Sequence, residues 1–446
     1  MKRKLIAIAA GVAVSAAMAV PAMALENEFH GMYKAFGYST NFFNGATFGP
    51  ADAINRLSEN SHSGFLAEQR ARIQYIAKAN DNLKMVTHFE LDARFGGTPN
   101  YKGTTGTDAG SLDADALSLE TKNVYLDFNT LGSNFKVGIQ PWNDAYKSLF
   151  LLADMAGASV TKKFDPFTAS LAWFRIDDNT AAATTPGRVT ADFIAADGKF
   201  AVNKDLIVGV SYYNVQNDSF AAAAAGVPAY ELLHMFGANA SAKLGPAAVD
   251  VFAAYQMGEF DTDQDLEGYM FGTTGKVKVG PGAVNFAGFY LSGDTTTATG
   301  DIGAFQTVGF HQTYFNPANM WLLIRSGQAV NSSTSVLGND MTVGGRGMWG
   351  VFAGYEGKVD KLFYNANAGY AETAHAANAT EKKSLGTEVN LQVGYNIFDN
   401  LQASVAGAYL LLGDALGGDA GQFITTRGAV NADNPWMANI QLSYTF

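Results

Sequence analysis

The 446-residue chain contains no cysteine. That excludes disulfides, thiolate metal centres and the Cys-x-x-Cys-His attachment of c-type haem, and it suits a chain that crosses an oxidising compartment before folding. Charge is scarce: Asp, Glu, Lys and Arg make up 16% of the residues, below the roughly 25% of ordinary soluble domains. Aromatic residues, by contrast, reach 12%. Long apolar runs are missing as well. Beyond the N-terminus no stretch approaches the ~18 consecutive apolar residues that a membrane-spanning helix needs, which excludes a helical membrane protein. Crossing by strands remains open, because alternation dilutes their apolar residues with polar ones.

Catalytic signatures are absent too. The six histidines (His30, His62, His88, His234, His311 and His375) are dispersed, and none falls in His-Glu-x-x-His spacing. No Gly-x-Ser-x-Gly elbow occurs. Gly344-Gly345-Arg346-Gly347 lacks the strand–loop–helix setting of a phosphate cradle. No catalytic, cofactor or metal site is expected, and the chain does not read as an enzyme. It has no basic tract and a formal charge of −11, which argues against a nucleic-acid partner.

What is present begins at the N-terminus. Met1-Lys2-Arg3-Lys4 is basic, Leu5 to Ala19 is apolar but too short to span, and Ala22-Met23-Ala24 is a small-x-small cleavage site. Residues 1–24 therefore read as a signal peptide removed after Ala24, with an uncleaved anchor as the bland alternative. The mature chain would be 25–446, and losing the three basic residues takes its charge from −11 to −14.

From Phe29 onward, segments of two-residue alternation recur. Met85, Thr87, Phe89, Leu91, Ala93 and Phe95 alternate with Lys84, Val86, His88, Glu90, Asp92 and Arg94, and Val389, Leu391, Val393 and Tyr395 alternate with Glu388, Asn390, Gln392 and Gly394. A helix would scatter each set around its circumference, so these are strands with one apolar and one polar face. Short connections share a formula: Asn80-Asp81-Asn82, Asn203-Lys204-Asp205, Asp360-Lys361 and Phe398-Asp399-Asn400 each precede a leucine, and Gly245-Pro246 is echoed by Gly280-Pro281. Asn, Asp and Gly suit tight hairpins. Eighteen strand candidates are centred near residues 35, 72, 89, 123, 138, 160, 172, 195, 211, 238, 252, 272, 288, 353, 367, 391, 407 and 440. Sixteen or twenty also fit, since Ala304–Phe310 and Trp321–Ile324 could form one more hairpin. Long external loops fall near 43–63, 96–116, 294–346 and 413–434. The predicted fold is all-β, a transmembrane antiparallel up-and-down barrel with short turns at one rim and long loops at the other.

The last segment carries a family resemblance. Trp436, Ala438, Ile440, Leu442, Tyr444 and Phe446 alternate with Met437, Asn439, Gln441, Ser443 and Thr445, and the chain stops on an aromatic. This resembles the closing strand of Gram-negative outer-membrane porins, in which the C-terminal aromatic (here Phe446, with Tyr444) is part of the signal read by the barrel-assembly machinery. Asn134-Phe135-Lys136-Val137-Gly138-Ile139-Gln140 is similar to the strand that precedes the inward-folded third loop of porins, with Gln140 where a basic residue is frequent. The resemblance implies that Pro141 to Ala156 folds inward and sets Asp144 and Asp154, with Lys147 beside them, opposite Arg70, Arg72 and Arg94. Glu90 and Asp92 lie on the arginine side. Such a set would form a pore constriction; the alternative is a salt-bridged wall that stiffens the barrel. The resemblance further implies outer-membrane localisation, contact with lipids and lipopolysaccharide, passage of small hydrophilic solutes and ions, and a homotrimer. The competing function is a non-conducting barrel, a sheath for an exported complex or a surface adhesion protein. Solute identity and ion preference stay open.

Overall fold

The computed structural model describes residues 25–42, 57, 61, 63–95, 108–109, 119–178, 187–218, 230–261, 264–294, 300–308, 314–317, 319–324, 328, 335–338, 340–376, 379–417 and 432–446. The first half of the wall is built from β1 (Glu26–Thr40), β2 (Gly64–Asn80), β3 (Leu83–Phe95), β5 (Glu120–Thr130), β6 (Ser133–Asn143), β7 (Leu152–Phe164), β8 (Phe167–Asp178), β9 (Thr190–Asn203) and β10 (Leu206–Asn217). The second half comprises β11 (Leu232–Leu244), β12 (Ala247–Asp261), β13 (Gln264–Val279), β14 (Gly282–Leu291), β15 (Met348–Val359), β16 (Leu362–Thr373), β17 (Ser384–Phe398), β18 (Leu401–Leu412) and β19 (Trp436–Thr445). A two-residue stub, β4 (Asp108–Ala109), lies parallel to the end of β3.

Each wall strand pairs antiparallel with its sequence neighbours, β3 pairs directly with β5, and β1 pairs with β19. The eighteen wall strands therefore close into a ring with no free edge, which removes the unpaired backbone that a bilayer does not tolerate. Every predicted strand is present at its predicted place.

The alternation sorts as the sequence requires. On β17, Val389 and Leu391 face outward with about half their surface exposed (49% and 53%), while Glu388 and Asn390 are buried inside. On β19, Ile440, Leu442 and Tyr444 face outward and Met437 and Asn439 inward. Exposed apolar side chains continue around the wall through Ile73, Leu126, Leu171, Val210 and Phe271. At about 25 cal/mol per Å² such a band is unfavourable in water and favourable against hydrocarbon.

The two rims differ as expected, except that β12 and β13 are joined on the long-loop rim by residues 262–263 alone. Two-residue turns at 81–82, 131–132, 165–166, 204–205, 245–246, 280–281, 360–361 and 399–400 form one rim, where both chain ends of the wall also lie. The shared turn chemistry is visible in the atoms. Asn82 N donates to Asn80 Oδ1 and Asp205 N to Asn203 Oδ1, each at 2.8 Å. Gly245 and Gly280 take φ of +63° and +57°, a backbone conformation that glycine adopts without a Cβ penalty.

One expectation needs correction. The 294–346 stretch, read as an external loop with a possible hairpin, contributes no strand at Ala304–Val308 or Trp321–Ile324; both pieces are buried inside the barrel. Apolar residues there are covered by the lumen face of the wall; the N–H groups of Gln306, Trp321, Leu322 and Leu323 find side-chain acceptors in place of a ladder, and that of Phe305 finds the Ser292 carbonyl. Residues 1–24 and most of the segments 43–63, 96–116 and 413–434 lie outside the described residues.

Candidate functional site

The interior has three parts. The first is a charged wall on β1, β2, β3, β5 and β7. Because Ile73 and Met85 point to lipid, the intervening charged residues point inward. The Arg70 guanidinium forks onto Asp92, with Nε to Oδ1 at 2.8 Å and Nη2 to Oδ2 at 2.6 Å, and its Nε lies 3.3 Å from Glu90 Oε2. Arg72 Nε donates to the same Glu90 oxygen. Arg94 stands in register with Glu68, one rung further along. The sequence thus brought Arg70, Arg72, Glu90 and Asp92 into one network, and neighbouring strands extend it. Lys122 Nζ sits 2.9 Å from Asp154 Oδ2, and Asn123 Nδ2 donates to Asp154 Oδ1 at 2.7 Å. Asn123 Oδ1 lies 3.4 Å from His88 Nδ1.

Asp154 is therefore beside the arginines on the same wall. The predicted loop began at Pro141, but β6 runs on to Asn143 and β7 starts at Leu152, so Pro141 pairs with Asp154 as a rung of the ladder. The missing N–H of Pro141 did not end the strand.

The second part is the connection 144–151 between β6 and β7. Asp144 is buried and accepts four backbone N–H bonds from its own loop. Tyr146 N (2.7 Å) and Ser148 N (2.9 Å) reach Oδ1, and Phe150 N and Leu151 N reach Oδ2, each at 2.7 Å. These bonds hold Lys147 and Ser148 in the left-handed region, at φ of +61° and +65°, which costs of order 1–3 kcal/mol each without such support. Burial pushes the Asp144 carboxyl up to about 6, the four N–H bonds working in the opposite direction. The loop reaches across to β10 and β12, three and five strands further round the ring than β7. Ala145 N donates to Tyr213 Oη at 3.0 Å, Tyr146 Oη bonds Ser211 Oγ, and Lys147 Nζ pairs with Asp250 Oδ2 at 2.7 Å. Trp142, Phe150, Phe174, Phe193 and Tyr213 pack around it with ring centroids 4.8 to 6.3 Å apart.

Neither Asp144 nor Lys147 points its charge at the arginines: Asp144 is spent on its own loop and Lys147 on β12. Adjacent space is polar. A cavity of about 860 Å³ touches Lys136, Gln140, Trp142, Lys163 and Asp197, and one of about 500 Å³ touches Lys147, Ser170, Lys199 and Asn239. The two share Thr161, Ser170 and Asp197. Each is many times the ~30 Å³ share of a water molecule, so the lumen has room for solvent along this wall.

The third part was not legible as a site. Described pieces of the segment between β14 and β15 also lie inside, Ala304, Phe305, Phe315 and Met320–Ile324 among them. Gln256 on β12 pairs with Gln306 as a strand would, Nε2 to the Gln306 carbonyl and Oε1 from the Gln306 N–H, both at 2.8 Å. Tyr314 N donates to Ser148 O at 3.0 Å, joining this segment to the 144–151 loop. Phe315 packs on Phe289 with centroids 4.8 Å apart. At the other end the Glu388 carboxylate of β17 accepts three successive N–H groups, Trp321 at 2.6 Å, Leu322 at 2.9 Å and Leu323 at 2.8 Å. The only hint in the sequence was an acidic residue on the inner face of an otherwise neutral strand.

A closed eighteen-strand ring, an apolar exterior, a polar solvent-holding interior and two segments packed within it define the fold of outer-membrane porins. OccAB4 of Acinetobacter baumannii is similar, with a TM-score of 0.55 and 12% identity over 96% of this chain and 99% of that one. A BenF-like porin from Pseudomonas fluorescens Pf-5 gives a TM-score of 0.54 and 14% identity over 94% and 98% of the two chains. OccK11 (OpdR) of Pseudomonas aeruginosa gives 0.52 and 12% over 94% and 96%. At these identities the shared feature is the barrel. No family model and no curated protein matches the chain.

Proposed function

We propose that the protein is an outer-membrane porin, a water-filled channel for passive diffusion of small hydrophilic solutes and ions. One observation carries the reading: a closed ring that is apolar toward lipid encloses charged and hydrogen-bonding side chains beside solvent-sized space. A hydrated interior lined by charged and hydrogen-bonding groups is what passage of polar solutes requires. The reading includes export through a cleaved signal at 1–24, recognition of Tyr444 and Phe446 by the assembly machinery, lipopolysaccharide around the outer rim and a homotrimer. The constriction is assigned to the network of Arg70, Arg72, Arg94, Glu90 and Asp92, with Lys122 and Asp154 beside it.

The test is single-channel recording of the purified protein in a planar bilayer. Stable open steps with a reproducible ion preference are expected. A folded, heat-modifiable barrel that passes no current would replace this reading with the non-conducting sheath or adhesion protein. That second reading draws on the buried residues Ala304, Phe305, Phe315 and Met320–Ile324, which take up part of the bore.

A further inference from the structure

The Glu388 carboxylate is fully buried (0% exposed) on the lumen face of β17, and no ion pair among the described residues includes it. Its negative charge is compensated by hydrogen-bond donors alone. Oε1 accepts Trp321 N and Asn390 Nδ2 (2.9 Å), and Oε2 accepts Leu322 N and Leu323 N. Four donors meet the roughly four lone-pair positions that a carboxylate offers. Three of those donors belong to the interior segment, so the charge is satisfied only while the segment is seated. The segment depends on Glu388 in turn, because Trp321, Leu322 and Leu323 are buried and their N–H groups have no strand partner. Neighbouring bonds reinforce the seat: Asn390 Nδ2 donates to Asn319 O at 2.9 Å and Asn319 Nδ2 to Asn365 Oδ1 at 3.0 Å.

We infer that Glu388 is the wall anchor of an interior plug: it holds Trp321–Leu323 inside the barrel and thereby sets the bore open to solutes. The inference about the bore rests on the porin reading; the inference about the anchor does not. A partly displaced plug would strand a buried charge and three buried donors together, so seating is all-or-none. Glutamine cannot substitute, since its amide nitrogen would face two N–H donors. The second anchor, Gln256 with Gln306, is neutral and holds a different part of the segment.

The experiment compares full-length wild type, Glu388→Ala, Glu388→Gln and, as a control on the same face of β17, Gln392→Ala. Gln392 bonds Asn365 and Ser404 and does not touch the plug. Chymotrypsin cleavage within 319–324 is followed alongside unitary conductance, with the heat shift on gels confirming a closed barrel. The expected result is cleavage faster by about tenfold or more in Glu388→Ala, the scale of losing one charge-assisted bond. Glu388→Gln should be intermediate, Gln392→Ala unchanged, and conductance should rise in the same order. Unchanged cleavage in folded Glu388→Ala and Glu388→Gln overturns the anchor, whatever the current. Faster cleavage with no current from any form leaves the anchor standing and overturns the porin reading.

Discussion

At the scale of single residues, the interior carboxylates divide by what satisfies them. Glu90 and Asp92 are met by arginines, whereas Asp144 is met by backbone N–H groups of its own loop. The Asp144 pKa is raised from 3.8 to about 6 in the folded protein, so the folded loop binds a proton more tightly than the unfolded one. Its contribution is fully present below about pH 4 and is lost as pH rises through about 6. Protection of the Tyr146–Leu151 amides, corrected for intrinsic exchange, should therefore increase between pH 7 and pH 4.5. Asp144→Asn removes that pH dependence. It also turns an amide nitrogen toward one pair of N–H groups, at about 1–3 kcal/mol per orphaned donor, so its loop should exchange faster than wild type at every pH. Equal protection of variant and wild type at pH 7 would mean that the aromatic packing alone holds the loop. The family resemblance marked Asp144 as important but set its charge across the pore toward the arginines. Alternation gives the side a strand residue faces, whereas an eight-residue loop has no such rule.

At the scale of elements, strand identity was legible and strand seating was not always so. The period-2 patterns and the Asn/Asp-Leu and Gly-Pro turns located every wall strand, because a lipid-facing wall forces apolar and polar residues onto opposite faces. The closing strand went further. Phe446 N donates to Gly31 O at 3.0 Å and Gly31 N to Phe446 O at 2.9 Å, so the last residue is the final rung of the β1–β19 seam. Its ring lies over Gly31, where a Cβ would stand 2.4 Å from Phe446 Cζ and 2.6 Å from Arg72 O. Gly31→Ala should therefore push the ring off the seam and destabilise closure by about 1–3 kcal/mol, the usual scale of overpacking. The measurement is the temperature at which the barrel loses its compact mobility on gels, compared with Gly407→Ala, where an added Cβ meets only Met437 O at 3.8 Å. Equal temperatures for the two variants would show that the seam is not tightly fitted at Gly31. The seating of Gln306 and Trp321–Leu323 escaped the sequence reading for the opposite reason: those residues have no strand period, and their N–H groups are satisfied by single side chains, Gln256 and Glu388, on distant strands.

At the scale of the molecule, the interior is unequal around its circumference, and that inequality predicts transport. Strands β1 to β7 carry the arginine–carboxylate network, while β16 to β18 carry a chain of amides and hydroxyls, with the buried Glu388 as its one charged neighbour, in which Asn367 donates to Asn390 at 2.7 Å, Asn365 to Gln392 at 2.9 Å and Gln392 to Ser404 at 3.0 Å. Ions should be sorted by the charged side, where Arg72 is paired with Glu90 yet keeps 29% of its side-chain surface open. Reversing that charge with Arg72→Glu sets two carboxylates side by side and makes the wall locally anionic. Unit charges about 4 Å apart interact by about 1 kcal/mol in water and more in a confined lumen, so the reversal should shift the permeability ratio toward cations by roughly an order of magnitude. The shift should shrink in about 1 M salt, where the screening length falls to about 3 Å. The zero-current potential under a salt gradient reads it directly. Arg72→Glu in a folded barrel with an unmoved zero-current potential would assign the network to stiffening the wall, and selectivity would then belong to the plug.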